Sequence, residues 1–282
     1  VLLRDMYDRR MARLALLLLC ASPWFVFMGM NFMTHSLSLV CTLGAAVAVA
    51  RIRRGGSVAW VIPGGIAIGI MAMIRPLEGL TVAVLLGLWT LGGFPWRARN
   101  LMAAGALAVV SMATGALTLP YNQHMAGDPT VFPLMAYTDS IYGTGTNALG
   151  FGANRGLGWP GLDPFPGHGV IDVLVNGNLN AYSLNIELLG WSTGSLLALL
   201  LLLLPVSLKR ADRWMLIAVA AIIGVHSFYW FSGGPDFGAR YWYLIIIPCI
   251  ALAARGMVML GERLNTLGAP DADTRVLAGA MV

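Results

Sequence analysis

LMAAGALAVVSMATGALTL (residues 101–119) runs straight into PYNQHMAGDPTVFP (120–133), and the reading of that junction decides the fold. The first segment has 19 residues without a charge, about the length needed to cross the hydrocarbon core of a bilayer. The second opens a stretch rich in Gly, Pro, Asn and aromatics that continues to Glu187. Such a long polar stretch between apolar runs is either functional or disordered. Its many aromatics and low charge favour a folded cap. The rest of the chain agrees: 58% of its 282 residues are hydrophobic and 11% are charged, with mean hydropathy +0.74, whereas soluble domains carry about 25% charged residues. The net charge of +5 sits in short clusters between apolar runs. That is the pattern of topology signals, not of a nucleic-acid surface.

Working outward, apolar runs predict eight transmembrane helices, at about 14–33, 36–50, 57–74, 77–94, 101–119, 188–206, 214–232 and 241–260. The expected fold is an all-α polytopic membrane protein. Its parts are a five-span bundle (1–119), an extracytoplasmic loop cap (120–187), a three-span bundle (188–260) and a cytoplasmic tail (261–282). With eight alternating spans, all 18 Lys and Arg except Arg75, Arg155 and Arg240 fall on one side. The positive-inside rule makes that side cytoplasmic, with both termini on it. The localisation expected is a bacterial plasma membrane with 120–187 outside. Cys20, Cys41 and Cys249 all lie in apolar runs and read as small buried hydrophobes. Arg4 to Cys20 superficially resembles a signal peptide, but the apolar run continues through Trp24 and Phe32 and reads as a span. The first residue is Val1, not Met, which leads us to expect that the natural chain begins further upstream. Gly64, Gly65 and Gly69 form a small-residue face suited to close helix crossing.

Acids and all four histidines concentrate near the outer half, and the candidate substrate-binding residues are drawn from there. Arg240 lies in GGPDFGARYWY (233–243), with Asp236 in the same turn. An arginine beside glycines can hold a phosphate with its guanidinium and neighbouring backbone amides. A snorkelling anchor in an aromatic belt is the simpler alternative. Arg75, in MIRPLEGL, is a second candidate cation; Pro76 suits the first helical position and Glu78 the first turn. His35 sits in the short NFMTHSLSL hairpin, where helix capping is the competing role. The cap offers Tyr121, His124, Asp128 and His168, with Arg155 nearby. GTGTNALGFGANRGLG has neither the spacing nor the strand–helix setting of a dinucleotide fingerprint. No zinc-type spacing is present, so no metal ligands are assigned. Residues 170–189 predict a helix.

Three stretches together resemble bacterial integral-membrane glycosyltransferases of the GT-C class, in particular the dolichyl-phosphate-mannose–protein mannosyltransferase-like and aminoarabinose transferase-like group. They are NFMTHSLSLVCTLGAAVAVARIRRGG, GIAIGIMAMIRPLEGLTVAVLL, and YNQHMAGDPTVFP with the later GHG and GPDFGARYWYLIIIPCIALAARG. Ala239 departs from the pattern, standing where proline is common. The resemblance implies a polyprenyl-phosphate-sugar donor as substrate, an extracytoplasmic acceptor (lipid, glycan or protein) and inversion at the anomeric carbon. It also implies a carboxylate general base in a first outer loop with no counterpart here, so no catalytic residue is assigned and the base is expected upstream. A divalent metal is left open. Membrane lipid is an expected partner and nucleic acid is not.

Two alternatives compete. One is an O-antigen-ligase or polymerase-like enzyme using a similar donor. The other is a transporter or scaffold without chemistry. A carrier predicts ionisable residues at membrane depth. Span centres here read as free of Asp, Glu, Lys and Arg, with His226 the one titratable group in the seventh span.

Overall fold

The computed structural model describes residues 1–159, 163, 165, 167–203, 208–233, 238–267, 275, 276 and 279. Among these the chain is helical, with no strand and one isolated antiparallel bridge, between Gly152 and His168. The helices are α1 (Leu2–Met6), α2 (Arg9–Ala21), α3 (Pro23–Met30), α4 (His35–Arg53), α5 (Val61–Ile74), α6 (Pro76–Leu91) and α7 (Ala98–Gly115). They continue with α8 (Thr118–Ala126), α9 (Pro133–Tyr142), α10 (Val170–Glu187), α11 (Leu196–Leu200), α12 (Arg210–His226) and α13 (Ile246–Thr266). They form two compact units. Unit 1 is 1–33, 179–221 and 235–282; unit 2 is 34–178 and 222–234.

Unit 2 holds α4 to α9 and the last turn of α12. Its helices pack closely because glycines line one face of α5. A Cβ on Gly65 would lie 2.6 Å from Val110 Cβ, and one on Gly69 2.4 Å from Thr114 Cβ, so α5 and α7 touch nearly backbone to backbone. Gly79 does the same at the α5–α6 hairpin, where an added Cβ would meet Ala72 Cα at 2.5 Å. The opposite faces are apolar and exposed. Ile62, Ile66 and Ile70 on α5 and Leu80, Val84 and Leu88 on α6 recur every four residues and point outward, as lipid-facing positions do.

Unit 1 is built around α13. Ile246, Ile250, Leu252 and Ala253 are at most 2% exposed, and Gly256 lets the Ala198 carbonyl approach to within 2.5 Å of where a Cβ would sit. Asp8 caps α2 by accepting the Met11 amide at 2.9 Å. Ser22 caps α3 ahead of Pro23, and α2 and α3 meet there at 58°. Buried Asp212 accepts from the Tyr7 hydroxyl and the Lys209 amide, both at 2.8 Å, and lies 3.6 Å from Arg255 Nε. Burial, with Asp212 beside it, pushes the Tyr7 phenol up.

Among the described residues three helical runs are long and apolar enough to cross a membrane: His35–Arg53, Ala98–Ala126 and Arg240–Thr266. The bent pair α2–α3 makes a fourth if counted as one span. The all-helical class therefore holds and these runs are compatible with a membrane location, but among the described residues the expected eight full-length spans do not all appear. Val58–Ile74 and Pro76–Leu91 are apolar but shorter. The run predicted at 188–206 is broken: Gly190 (φ +69°) and Gly194 (φ +90°) turn the chain, and helix resumes only at Leu196. Within 214–232, helix ends at His226. Nor is 120–187 one long loop. Pro120 falls in the first turn of α8, where its missing N–H costs nothing, so the helical run continues to Ala126. With α9 and α10 also helical, the described non-helical residues of this stretch fall within 127–132 and 143–169. The helix expected at 170–189 is α10. Arg255, expected near the cytoplasmic end of its span, lies near the middle of α13 and is 5% exposed, so the expectation that span centres hold no charge does not extend to α13.

Candidate functional site

Four helix ends of unit 2 converge on one ionic cluster. α5 ends at Arg75 because Pro76 cannot continue it. Pro76 then opens α6, placing Glu78 in the first turn. The tight Ala72–Gly79 approach fixes this hairpin. Arg75 Nε donates to Glu78 Oε1 at 2.5 Å, and its Nη2 pairs with the same oxygen. Arg75 Nη1 faces the His35 ring, 2.9 Å from Nδ1 and 3.1 Å from Nε2. His35 is the first residue of α4 and is 5% exposed. From the end of α12, His226 Nδ1 donates to the Ile222 carbonyl at 2.8 Å, and its Nε2 lies 3.5 Å from Glu78 Oε1. The Arg75 and Glu78 side chains are 13% and 6% exposed. A buried pair of this kind persists only where good geometry and further hydrogen bonds offset desolvation, and the two imidazoles supply them.

The irregular segment is tied to the residues after α12. Gly150 N–H donates to the Phe228 carbonyl at 2.8 Å, and Asn176 Nδ2 to the Trp230 carbonyl at 2.8 Å. Buried Asn147 Oδ1 accepts from both Tyr229 Oη and Trp230 Nε1 at 2.9 Å. His168 Nε2 donates to the Ser227 carbonyl at 3.0 Å, one residue beyond His226, and its ring stacks on Phe151 with centroids 5.3 Å apart. Trp159 packs edge-on against Trp230 and Phe231. These contacts hold the described residues between Asn147 and Asn176 against the segment that follows α12.

Of the sequence candidates, His35 and Arg75 share one cluster, and His168 reaches the turn that begins at His226. Tyr121 and His124 are exposed on α8, and among the described residues neither has a hydrogen bond or ion pair to the cluster. Asp128 is exposed and accepts from the Thr130 hydroxyl (2.6 Å) and amide (2.7 Å), contacts that hold its carboxyl below the usual carboxylate range. It serves a local turn. Arg240 belongs to unit 1, where its guanidinium lies 5.5 Å from the Tyr241 ring and Nη1 contacts Met33 Sδ at 3.9 Å. Close by in sequence, Gly238 (φ +59°) passes under the Glu187 carboxylate, which burial pushes up. Asp236 lies outside the described residues.

Three polar groups, Glu78, His226 and Asn147, are not among the residues that the sequence marks for the site. Arg75-x-x-Glu78 spacing carried a signal for the first. Nothing local marked the other two, whose partners are more than 80 residues away. Among the described residues no group of three or more His, Cys, Asp and Glu could hold a metal ion. No known protein family, curated protein or solved structure matches the chain.

Proposed function

We propose that the chain belongs to a glycosyltransferase that moves a sugar from a polyprenyl-phosphate donor to an extracytoplasmic acceptor. One observation carries this reading: Arg75, His35, His226 and Glu78 meet at shared helix ends, and Asn147, Gly150, His168 and Asn176 tie to the residues that follow His226. Along unit 2 the chain alternates direction, so the start of α4, the α5–α6 junction and the end of α12 share a face. With the Lys and Arg distribution this supports an extracytoplasmic placement of the cluster and cytoplasmic termini, with α5 and α6 as short crossings between the longer α4 and α7–α8. In transfer, an acceptor hydroxyl oxygen bonds to the anomeric carbon from the face opposite the phosphate. The bond from that carbon to phosphate oxygen breaks, and its electron pair leaves with polyprenyl phosphate. Negative charge develops on that oxygen, where a fixed guanidinium lowers the barrier most. Arg75 takes this role, with Glu78 and His226 orienting it. The acceptor proton goes to a base not assigned in this chain. Arg240, in unit 1, is a separate proposal: the GPDFGARYWY pattern suggests a phosphate-binding role there, tested by its own variant.

A second reading has specific support. A buried Glu between an Arg and a His, with a second His on the Arg, is also the material of an ion-coupled carrier. Radiolabelled sugar transfer in vesicles separates the two. Arg75→Gln/Glu78→Gln, which removes the ion pair without leaving a buried charge, is expected to lower transfer at least 100-fold while the protein still inserts in the membrane. Arg240→Ala is expected to do likewise. Transfer unchanged in either variant removes that arginine from the proposal. Proton-dependent solute uptake by the wild-type protein, without transfer, favours the carrier.

A further inference from the structure

Two adjoining open hollows, of about 550 and 410 Å³, are lined by described residues between Gly152 and Asp172 and share Ala153 and Phe165. The larger is lined by His168, Gly152 and the first turn of α10; the smaller by Arg155 and Asp163. Their walls are held by backbone geometry. Gly152 and His168 exchange both backbone hydrogen bonds, at 2.9 and 3.0 Å. Gly167 has φ +83°, and a Cβ there would lie 2.7 Å from the Gly152 carbonyl oxygen, so the wall admits no side chain at that position.

The polar groups in these walls are mixed in kind. His168 is 4% exposed; its Nε2 is used on Ser227, but its buried Nδ1 has no partner. Arg155 donates from Nη1 to the Gly145 carbonyl at 2.8 Å, and its buried Nε has no partner. Buried polar atoms of this kind ordinarily find a partner in protein, water or ligand. Asp172 accepts the Gly169 amide and Asp163 the Gly158 amide, each at 2.8 Å, and both carboxylates remain in the lining. Phe165 is 43% exposed and common to both hollows.

We propose that this double hollow binds a neutral saccharide, the glycan part of the acceptor; calling it the acceptor rests on the transferase reading above. An anion would meet two carboxylates, and a cation would meet Arg155 and the positive end of α10. Sugar hydroxyls both donate and accept and so match a lining that offers amides, a guanidinium, an imidazole nitrogen and carboxylates together. Phe165 offers a flat apolar face to the C–H side of a pyranose, the usual division between apolar walls and a few polar groups in small-molecule sites.

The test is direct binding of neutral trisaccharides of glucose, mannose and galactose to the full chain in detergent, without donor, by saturation-transfer NMR and titration. At least one is expected to bind, with affinity reduced tenfold or more in Phe165→Ala and in Arg155→Gln, each retaining wild-type circular dichroism. Inorganic phosphate is expected not to displace it. No binding by any of the three, binding unchanged in both variants, or displacement by phosphate overturns the proposal. Loss of saccharide binding with donor binding intact refutes this inference alone. Saccharide binding without any donor binding refutes the transferase reading and leaves a glycan-binding surface.

Discussion

Arg75→Leu alone is expected to destabilise the protein by about 3–5 kcal/mol, the usual cost of stripping one partner from a buried ion pair. The double variant Arg75→Leu/Glu78→Leu is expected to recover most of that loss. In the single variant Glu78 stays buried, with His226 Nε2 3.5 Å away. In the double variant no buried carboxylate is left, and His226 keeps its bond to the Ile222 carbonyl. Thermal unfolding in detergent, followed by intrinsic fluorescence, gives the comparison, and a double-mutant cycle gives the coupling. Equal stability of Arg75→Leu and wild type would mean the pair is solvated and not the buried cluster described here. The double variant is expected to lack transfer activity even when stable, separating the structural role of the pair from its chemistry.

The second large effect lies on α5. Gly69→Leu is expected to prevent the α5–α7 contact from forming, because even a methyl group at that position would sit 2.4 Å from Thr114 Cβ and 2.9 Å from the Ser111 carbonyl oxygen. Gly69→Ala should show a smaller loss of about 1–3 kcal/mol, the range for overpacking. Gly105, on the outer face of α7, has nothing within 4 Å of its would-be Cβ, so Gly105→Ala should be neutral or stabilising by up to about 1 kcal/mol. Yield of monodisperse protein and thermal midpoint read both. Tolerance of Gly69→Leu would contradict the close crossing.

The helical membrane class was legible because apolar runs of the right length recur between charged breaks. The small-residue face on α5 was legible for the same kind of local reason. Span boundaries were less so. Pro120 reads as a stop, yet three residues into a helix it is neutral, and Gly190 and Gly194 interrupt a run whose hydropathy alone looks continuous. At the site, Arg75 and His35 were marked by charge and position on the outer side. Their partnership with His226 was hidden by the 148 residues between Glu78 and His226. The exposed Tyr121, His124 and Asp128 attracted attention by residue type, but burial and hydrogen bonding assign Asp128 to a turn and leave the other two on a helix surface.

The central claim is that the Arg75–His35 cluster takes a lipid-borne sugar phosphate. Its most direct test is equilibrium binding of a polyprenyl-phosphate hexose to the protein in nanodiscs, measured by native mass spectrometry for wild type and Arg75→Gln/Glu78→Gln. We predict saturable binding by the wild type and at least a tenfold weaker affinity in the variant, with unsubstituted polyprenol binding weakly to both. Equal affinity of the two proteins for the phosphate-bearing lipid would contradict it.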